Sequence, residues 1–555
     1  MSLDAALQKI DRLFVRYDNH SPGCAVGIVK DGELIFKKGY GMANLEYTIP
    51  NTSKTVFCIA SMSKQFTGMC IALLEEEGSL SLDDEIREYI PEFPYYGSPI
   101  TIGNLVYHTS GIRDYLVLVH SVLGMVESDF LTEEELLDLL THQKGLNCNP
   151  GEKWSYSNSN YFLLSIIVKR ITGESLGEYA ERAIFKPLGM KNTHFCENHS
   201  KIIRNRAVGY SVYQIRNCSS KLYNKKGSDA FYINTSTSEL TGDDGVWSTV
   251  EDLLLWDQNF YNNQLGQKRQ NLITRVITSG KLNDGSTTEY GFGLGLTEYK
   301  NRKYIGHYGS ICGYSASMYR LQDEQFSLIY LSNTNTVGPL SYMHKIMDIF
   351  TDEKTQYSQR PVVSLHVPTS ELLKKTGLYQ NLETASIWRV YYDRKKLMVE
   401  ENNSLIFGIV PVGKETFRAT NPDLDVLCRF ELKDGEISQV YVKRGTDELV
   451  FSPFLKEPLT SEQLKEYTGE YCCDELKTSF EIFTENEKLC MQNKNRHRCA
   501  LNLLYEPTIQ DHFMCYDPSV GLVIITFLRD NGKVRAFVFR DYDGDNREKL
   551  EFIKK

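Results

Sequence analysis

The sequence predicts an α+β protein, with an antiparallel sheet and helices over residues 1–355 followed by two small antiparallel β-barrels over 356–455 and 456–555. Three observations carry this reading. A strand-turn-strand pattern at residues 24–36 is followed by a long helical run to Glu77. Short strand-like runs with glycines return at 290–315, and the last third of the chain repeats itself. The chain has 555 residues, of which 41% are hydrophobic and 12% aromatic, ample for several packed cores.

Leu7, Ile10, Leu13 and Phe14 recur at helical spacing, so residues 4–17 read as an amphipathic helix. Pro22-Gly23 breaks into the apolar run 24–29, and Asp31-Gly32 supplies hairpin chemistry before Leu34-Ile35-Phe36. The run 56–66 ends a strand and opens a helix with Phe66, Met69, Cys70, Leu73 and Leu74 on one face, which reads as the central helix. A short helix is expected after Leu80, and His108-Thr109-Ser110-Gly111 ends a further one in turn chemistry, where His108 suits a histidine satisfying backbone groups. Pro150-Gly151 then leads to Tyr156-Ser157-Asn158 and a buried helix over 161–171; an extended segment there projects the tips of Tyr156 and Asn158 the same way. Residues 290–295 read as a Gly-rich strand without the spacing of a dinucleotide fingerprint, and 304–315, with Gly306, Gly309 and Gly313, as a substrate-binding edge strand.

Chemistry enters at Ser61-x-x-Lys64. Residues three apart on a helix share a face, so the Lys64 amine stands beside the Ser61 hydroxyl, at a helix start whose free N–H groups stabilise an oxyanion. A bare Ser-x-x-Lys is frequent by chance, and Tyr156 alone is one of 34 tyrosines. Ser61-x-x-Lys64, Tyr156-x-Asn158 and His307-x-Gly309 in this order nevertheless resemble the three active-site motifs of the serine β-lactamase and penicillin-binding-protein superfamily. His108-Thr109-Ser110-Gly111, Pro150-Gly151, Pro187-Leu188-Gly189-Met190 and Gly245-Val246-Trp247-Ser248-Thr249 resemble landmarks of its class C β-lactamase, esterase and D-aminopeptidase branch, over about residues 5–350.

The resemblance implies a serine hydrolase working through a covalent acyl-enzyme, with Ser61 as nucleophile and Lys64 and Tyr156 as the proton-handling pair, either of which is the base. It implies an oxyanion hole from the backbone amides of Ser61 and Ser310, and substrate contacts from Asn158, His307 and Gly309. No metal or cofactor is required. His307 stands where β-lactamases and carboxypeptidases of this superfamily carry lysine, and a mostly neutral histidine anchors a carboxylate weakly. His-x-Gly resembles the D-aminopeptidases and some esterases, and D-aminopeptidases also carry two C-terminal β-barrels. The expected substrate is therefore a small D-amino-acid-containing peptide. The alternatives are an ester hydrolase, a weak β-lactamase or DD-carboxypeptidase, and a non-catalytic penicillin-sensing or assembly protein.

In the last third, Pro361 and Pro368 mark 351–368 as a linker. Thr369-Ser370-Glu371-Leu372-Leu373 with Thr376-Gly377-Leu378-Tyr379 recurs as Thr460-Ser461-Glu462-Gln463-Leu464 with Thr468-Gly469-Glu470-Tyr471, and Asp434-Gly435 recurs as Asn531-Gly532. Two copies of one barrel module are implied. An aminopeptidase must read a free ammonium, and no acidic residue adjoins the three motifs in sequence. The resemblance implies a loop of the final barrel in the active site; by position this is 515–521, where Asp517 offers a carboxylate.

A net charge of −10 with no basic block excludes general affinity for nucleic acid or anionic membrane, and no run approaches ~20 apolar residues. Thirteen scattered cysteines without C-x-x-C or H-E-x-x-H spacing argue against a metal site and fit buried thiols in a reducing compartment. Asp541-Tyr542-Asp543-Gly544-Asp545 begins like a calcium loop but has Asn546 and Phe552 where glycine and a bidentate acid are needed. A cytoplasmic location is expected, with an exported form lacking its signal peptide as the alternative, and a homo-oligomer is admitted.

Overall fold

Asp31 and Gly32 take positive φ values of 51° and 83°, the twist that closes a two-residue hairpin. They join β1 (Cys24–Lys30) to β2 (Glu33–Tyr40) in the computed structural model. The structure describes residues 3–555 except 16, 126–128, 212–230, 268–269, 300–301, 335–338, 351–364, 366, 382–385, 394–395, 402–404, 421–425, 445–446, 454–458, 486–487, 494–500, 506–510, 518–520 and 542–549. The described chain divides into two compact units, one within residues 1–353 and the other mainly 354–555.

In the first unit the sheet begun by the hairpin is completed by β3 (Gly295–Tyr299), β4 (Arg302–Ile311), β5 (Tyr314–Leu321) and β6 (Phe326–Ser332). Its order is β3-β4-β5-β6-β1-β2, antiparallel throughout, with β6 joined to β1 from Cys24↔Ser332 to Lys30↔Phe326. Helices α1 (Leu3–Leu13) and α5 (Pro339–Phe350) share an apolar core with the sheet that contains Ile10, Phe14, Tyr330, Tyr342 and Ile346. The Phe14 ring lies 4.9 Å from that of Tyr40 and 4.6 Å from that of Tyr342; burying one such side chain is worth about 2–3 kcal/mol.

The central helix α2 (Lys64–Glu77) forms as expected, but it is buried all round from Lys64 to Leu74 rather than on one face. Its polar groups find internal partners: Thr67 donates to Gly242 O at 2.7 Å, and Gln65 accepts from the indole of Trp256. It packs against α3 (Asn158–Thr172), while α4 (Val250–Asn259) lies on β1 and β6.

Two strand expectations are corrected. Residues 290–294 are not a strand: they cross the first turn of α2, where a Cβ on Gly293 would stand 2.2 Å from Lys64 O. The run 304–315 is not one strand but the ends of β4 and β5, joined at Cys312-Gly313, so Gly313 marks a turn.

In the second unit, two closed eight-stranded antiparallel barrels follow one another, from Gly377–Gln380 to Asp447–Pro453 and from Gly469–Cys473 to Leu550–Lys554. The repeat is structural. Tyr379 and Tyr471 each donate their hydroxyl to the carbonyl four residues earlier, at 2.9 and 2.7 Å, and the Asp434-Gly435 and Asn531-Gly532 turns both take positive φ. Most of the expected linker lies outside the described residues. Asp517 closes the strand His512–Asp517, but its side chain and residues 518–520 also lie outside them. Among the described residues ten cysteines are free thiols, no helix is long and apolar enough to cross a membrane, and no metal-binding cluster occurs.

Candidate active site

The first motif is built on a strained turn. The strand Phe57–Cys58 pairs with Trp247 and Ser248, and Ala60 then takes φ 47°, a left-handed conformation that costs a residue with a Cβ about 1–2 kcal/mol. The Ser63 hydroxyl donates to Ala60 O at 2.6 Å and accepts from Val246 N at 3.0 Å, tying the turn Ala60–Ser63 to its neighbour. Ser61 is thereby left half-buried at the head of α2, with Lys64 fully buried one turn on.

The second motif arrives from the N-terminus of α3. Ser157 is extended, with φ −147° and ψ 124°, so Tyr156 and Asn158 reach the same space. His108 anchors this segment as a backbone-satisfying histidine: its carbonyl accepts from Ser155 N at 2.7 Å and its Nδ1 accepts from Ser157 N at 3.2 Å. Its ring lies 4.4 Å from that of Tyr156.

These elements converge on Lys64. Its Nζ lies 2.7 Å from Asn158 Oδ1, 2.8 Å from Asp243 O and 3.3 Å from Ser61 Oγ, and 5.0 Å from the Tyr156 ring centre. The Ser61 hydroxyl also hydrogen-bonds Tyr156. Burial pulls the Lys64 ammonium below the usual lysine range, against the pull of Asp243, Asp244 and Asp114. Burial pushes the Tyr156 phenol well above its ordinary value, against the Ser61 hydrogen bond. A lysine that sheds its proton more readily thus stands with a phenol that keeps its own, both at one serine oxygen.

The third motif is the inner half of β4. Pairing with β3 ends at Gly295↔Gly306, so from His307 to Ile311 strand β4 has a strand neighbour only in β5. Its other edge runs against the Ser61 turn. A Cβ on Gly309 would stand 2.4 Å from Ile59 O and 2.7 Å from Ser61 N, which is why only glycine lets the Gly309–Ser310 backbone lie alongside the Ser61 amide. Ser310 itself is exposed. His307 is buried and its tautomer is fixed: Nδ1–H donates to Tyr308 O at 2.5 Å, so Nε2 accepts the Tyr290 hydroxyl at 3.0 Å. Burial, followed by the nearby Lys64 cation, pushes His307 down to about 3.

Ser61, Lys64, Tyr156, Asn158, His307 and Gly309 thus come together, as does the backbone of Ser310. The family model "Beta-lactamase" matches residues 8–345, the stretch that carries the Ser-x-x-Lys helix start, the Tyr-x-Asn helix start and the glycine-bearing strand edge. The chain belongs to the Beta-lactamase family. This is a family of serine hydrolases with the β-lactamase fold. Among its relatives, Penicillin-binding protein 4* of Bacillus subtilis (strain 168) is 30% identical over 321 residues, 57% of this chain and 69% of that one. A D-aminopeptidase of Brucella anthropi is 28% identical over 382 residues, 68% of this chain and 69% of its own. In fold the chain resembles the octameric penicillin-binding protein homologue from Pyrococcus abyssi, with a TM-score of 0.56 at 22% identity over 81% of this chain and all of that one.

Within the Beta-lactamase fold this site has acidic neighbours that sequence reasoning missed. Asp114 accepts from Asn158 N at 3.1 Å and from Asn158 Nδ2 at 2.8 Å. Asp243 accepts the Tyr115 hydroxyl at 3.0 Å. Burial raises Asp243 to about 6, and burial followed by the neighbouring Asp243 raises Asp244 above its ordinary value. These carboxylates are distant from each motif in sequence, as the absence of an acid beside the motifs requires, but close to Lys64 in space. The available signals were Gly242-Asp243-Asp244-Gly245, an acidic pair between glycines, and Asp114, three residues after Gly111.

Proposed function

We propose that the protein is a serine amidohydrolase that cleaves small peptides or amides with a free N-terminal D-amino acid, through an acyl-enzyme on Ser61. The observation that carries the acyl chemistry is the placing of Lys64 Nζ against Ser61 Oγ, Asn158 Oδ1 and Asp243 O. Two carbonyl oxygens take two N–H groups of the amine, so its third tetrahedral direction faces Ser61. As the free amine, Lys64 presents its lone pair there, accepts the serine proton and leaves the oxygen free to attack a carbonyl carbon. Tyr156, kept a phenol by burial, hydrogen-bonds the same serine and relays the proton toward the leaving amine. The amides of Ser61 and Ser310 border the space where the carbonyl oxygen gathers charge.

The electrostatics support an amine-bearing substrate over a carboxylate-bearing one. His307 is neutral, and three carboxyl groups, Asp114, Asp243 and Asp244, act on the Lys64 amine. Relatives bearing the name D-aminopeptidase support the same class. Steady-state turnover of D-alanine p-nitroanilide, its L enantiomer, p-nitrophenyl acetate and a chromogenic cephalosporin tests the reading. The D-anilide is expected to exceed its L form and the cephalosporin in kcat/KM; ester turnover without any anilide turnover would replace this reading with an esterase.

A further inference from the structure

Asn158 carries an oxygen and an NH2 group at nearly equivalent ends of one amide, and only one of the two orientations suits Lys64. The lysine nitrogen needs an acceptor at that point, to hold one of its hydrogens. The flipped amide would turn a donor toward it and release the amine from its aim at Ser61. Something must therefore hold the NH2 end away.

We infer that Asp114 is the positioning residue that aims Lys64 at Ser61, acting through the Asn158 amide. Its Oδ2 accepts from Asn158 Nδ2 at 2.8 Å and from Asn158 N at 3.1 Å, while its Oδ1 accepts from Leu116 N at 2.9 Å. Each of these contacts comes from an N–H donor, and such donors favour the charged carboxylate; burial raises Asp114 above its ordinary value, with the Asn158 and Leu116 N–H groups and Lys64 pulling the other way. The location has a second basis. Ser157 at the start of α3 makes no side-chain cap, and the Asp114 carboxylate, supplied by another segment, takes the free Asn158 N–H at the positive end of this 15-residue helix. The segment is locked in turn: Ser159 Oγ donates to Arg113 O at 2.6 Å and accepts from Tyr115 N at 2.8 Å. The Asp114 carboxylate thus sets the direction of Lys64 through one intervening amide.

The consequence is a chain of fixed directions. Asp114 sets the amide, the amide oxygen takes one hydrogen of Lys64, Asp243 O takes a second, and the remaining direction points to Ser61 Oγ. The groups that face the lysine from each side are Ser61 on its own turn, Asn158, Tyr156 and Tyr161 from the α3 segment, Asp114, the Asp243-Asp244 turn, and His307 and Tyr308 on β4.

This inference rests on the reading of Ser61 and Lys64 as nucleophile and base, so the test separates the two. The full chain is assayed for acylation by p-nitrophenyl acetate, a probe that does not depend on which amide is the natural substrate. Ser61→Ala and Lys64→Ala report on the reading: turnover that survives them removes it, whatever Asp114 does. Asp114→Ala, and Asp114→Asn where the first variant does not fold, are then measured in the parent and in the Asn158→Ala background, with thermal melts as the folding control. The inference expects a loss of about ten- to a hundredfold in kcat in the parent and no more than about twofold in the Asn158→Ala background, where the intermediary is already gone. It also expects the acid limb of kcat/KM to move to lower pH, since an anion that favours the Lys64 ammonium has been removed. An equal loss in both backgrounds, or an acid limb that stays in place, overturns it.

Discussion

The Asn158 side-chain oxygen lies 2.7 Å from the Lys64 nitrogen, and the same amide donates to Asp114 at 2.8 Å. A neutral amide thus stands between a buried amine and a buried acid. It conveys orientation from the acid to the amine without direct contact between them.

Because burial lowers the Lys64 proton affinity while the surrounding carboxyl groups raise it, the pH dependence of kcat/KM has a definite sign. Activity needs the free amine, so it rises with pH through the Lys64 titration, in an acid limb below the ordinary lysine range. Asp243→Asn removes an anion that holds the proton on Lys64, and its limb is expected at lower pH than the parent's. A limb displaced to higher pH would mean that a different group titrates.

Tyr156→Phe keeps the ring beside His108 and removes only the hydroxyl that meets Ser61. The loss expected in kcat is on the order of 10² to 10⁴, the usual worth of a positioned proton-transfer group, with a much smaller change in KM. Single-turnover kinetics on a p-nitroanilide and a p-nitrophenyl ester separate the roles: a relay to a poor leaving group costs more for the anilide.

His307 is neutral and held at both nitrogens. Its replacement by lysine places a charge at the strand edge, and the ratio of turnover for carboxylate-bearing over carboxylate-free substrates is expected to rise at least about tenfold, equivalent to roughly 1.4 kcal/mol. A cephalosporin and D-alanine p-nitroanilide supply the comparison. In the parent protein the imidazole should show no titration between pH 5 and 9 by NMR.

Gly309→Ala tests the closeness of β4 to the nucleophile turn. A methyl group 2.4 Å from Ile59 O and 2.7 Å from Ser61 N must push strand and turn apart, and a displacement of this size next to the reacting atoms costs on the order of 10²-fold in rate. Retention of full activity in a folded variant would show that the strand edge does not border the reacting carbonyl.

Much of this architecture was legible in the sequence because it rests on local rules. Asp31-Gly32, Asp434-Gly435 and Asn531-Gly532 all form the turns their chemistry demands, and the repeated Thr-Gly-x-Tyr places Tyr379 and Tyr471 in equivalent hydrogen bonds. The central helix was found but its surroundings were not: Gln65 and Thr67 look solvent-facing in a periodicity count, and only Trp256 and Gly242, far along the chain, show that they are buried and satisfied. The glycines at 291, 293 and 295 look like strand interruptions, whereas Gly293 answers to the first turn of α2 passing beneath it. Asp114, Asp243 and Asp244 escaped notice for the same reason. No periodicity links them to Lys64, and what joins them is an amide, a backbone carbonyl and a shared buried space.

The central claim is that Ser61 is the acylated nucleophile. Intact-protein mass spectrometry after treatment with a fluorophosphonate tests it most directly: the parent is expected to gain one adduct, mapped by peptide digestion to the segment containing Ser61, and Ser61→Ala to gain none while melting at the same temperature. A stoichiometric adduct on the Ser61→Ala protein, or a parent adduct mapped to another residue, would contradict the account.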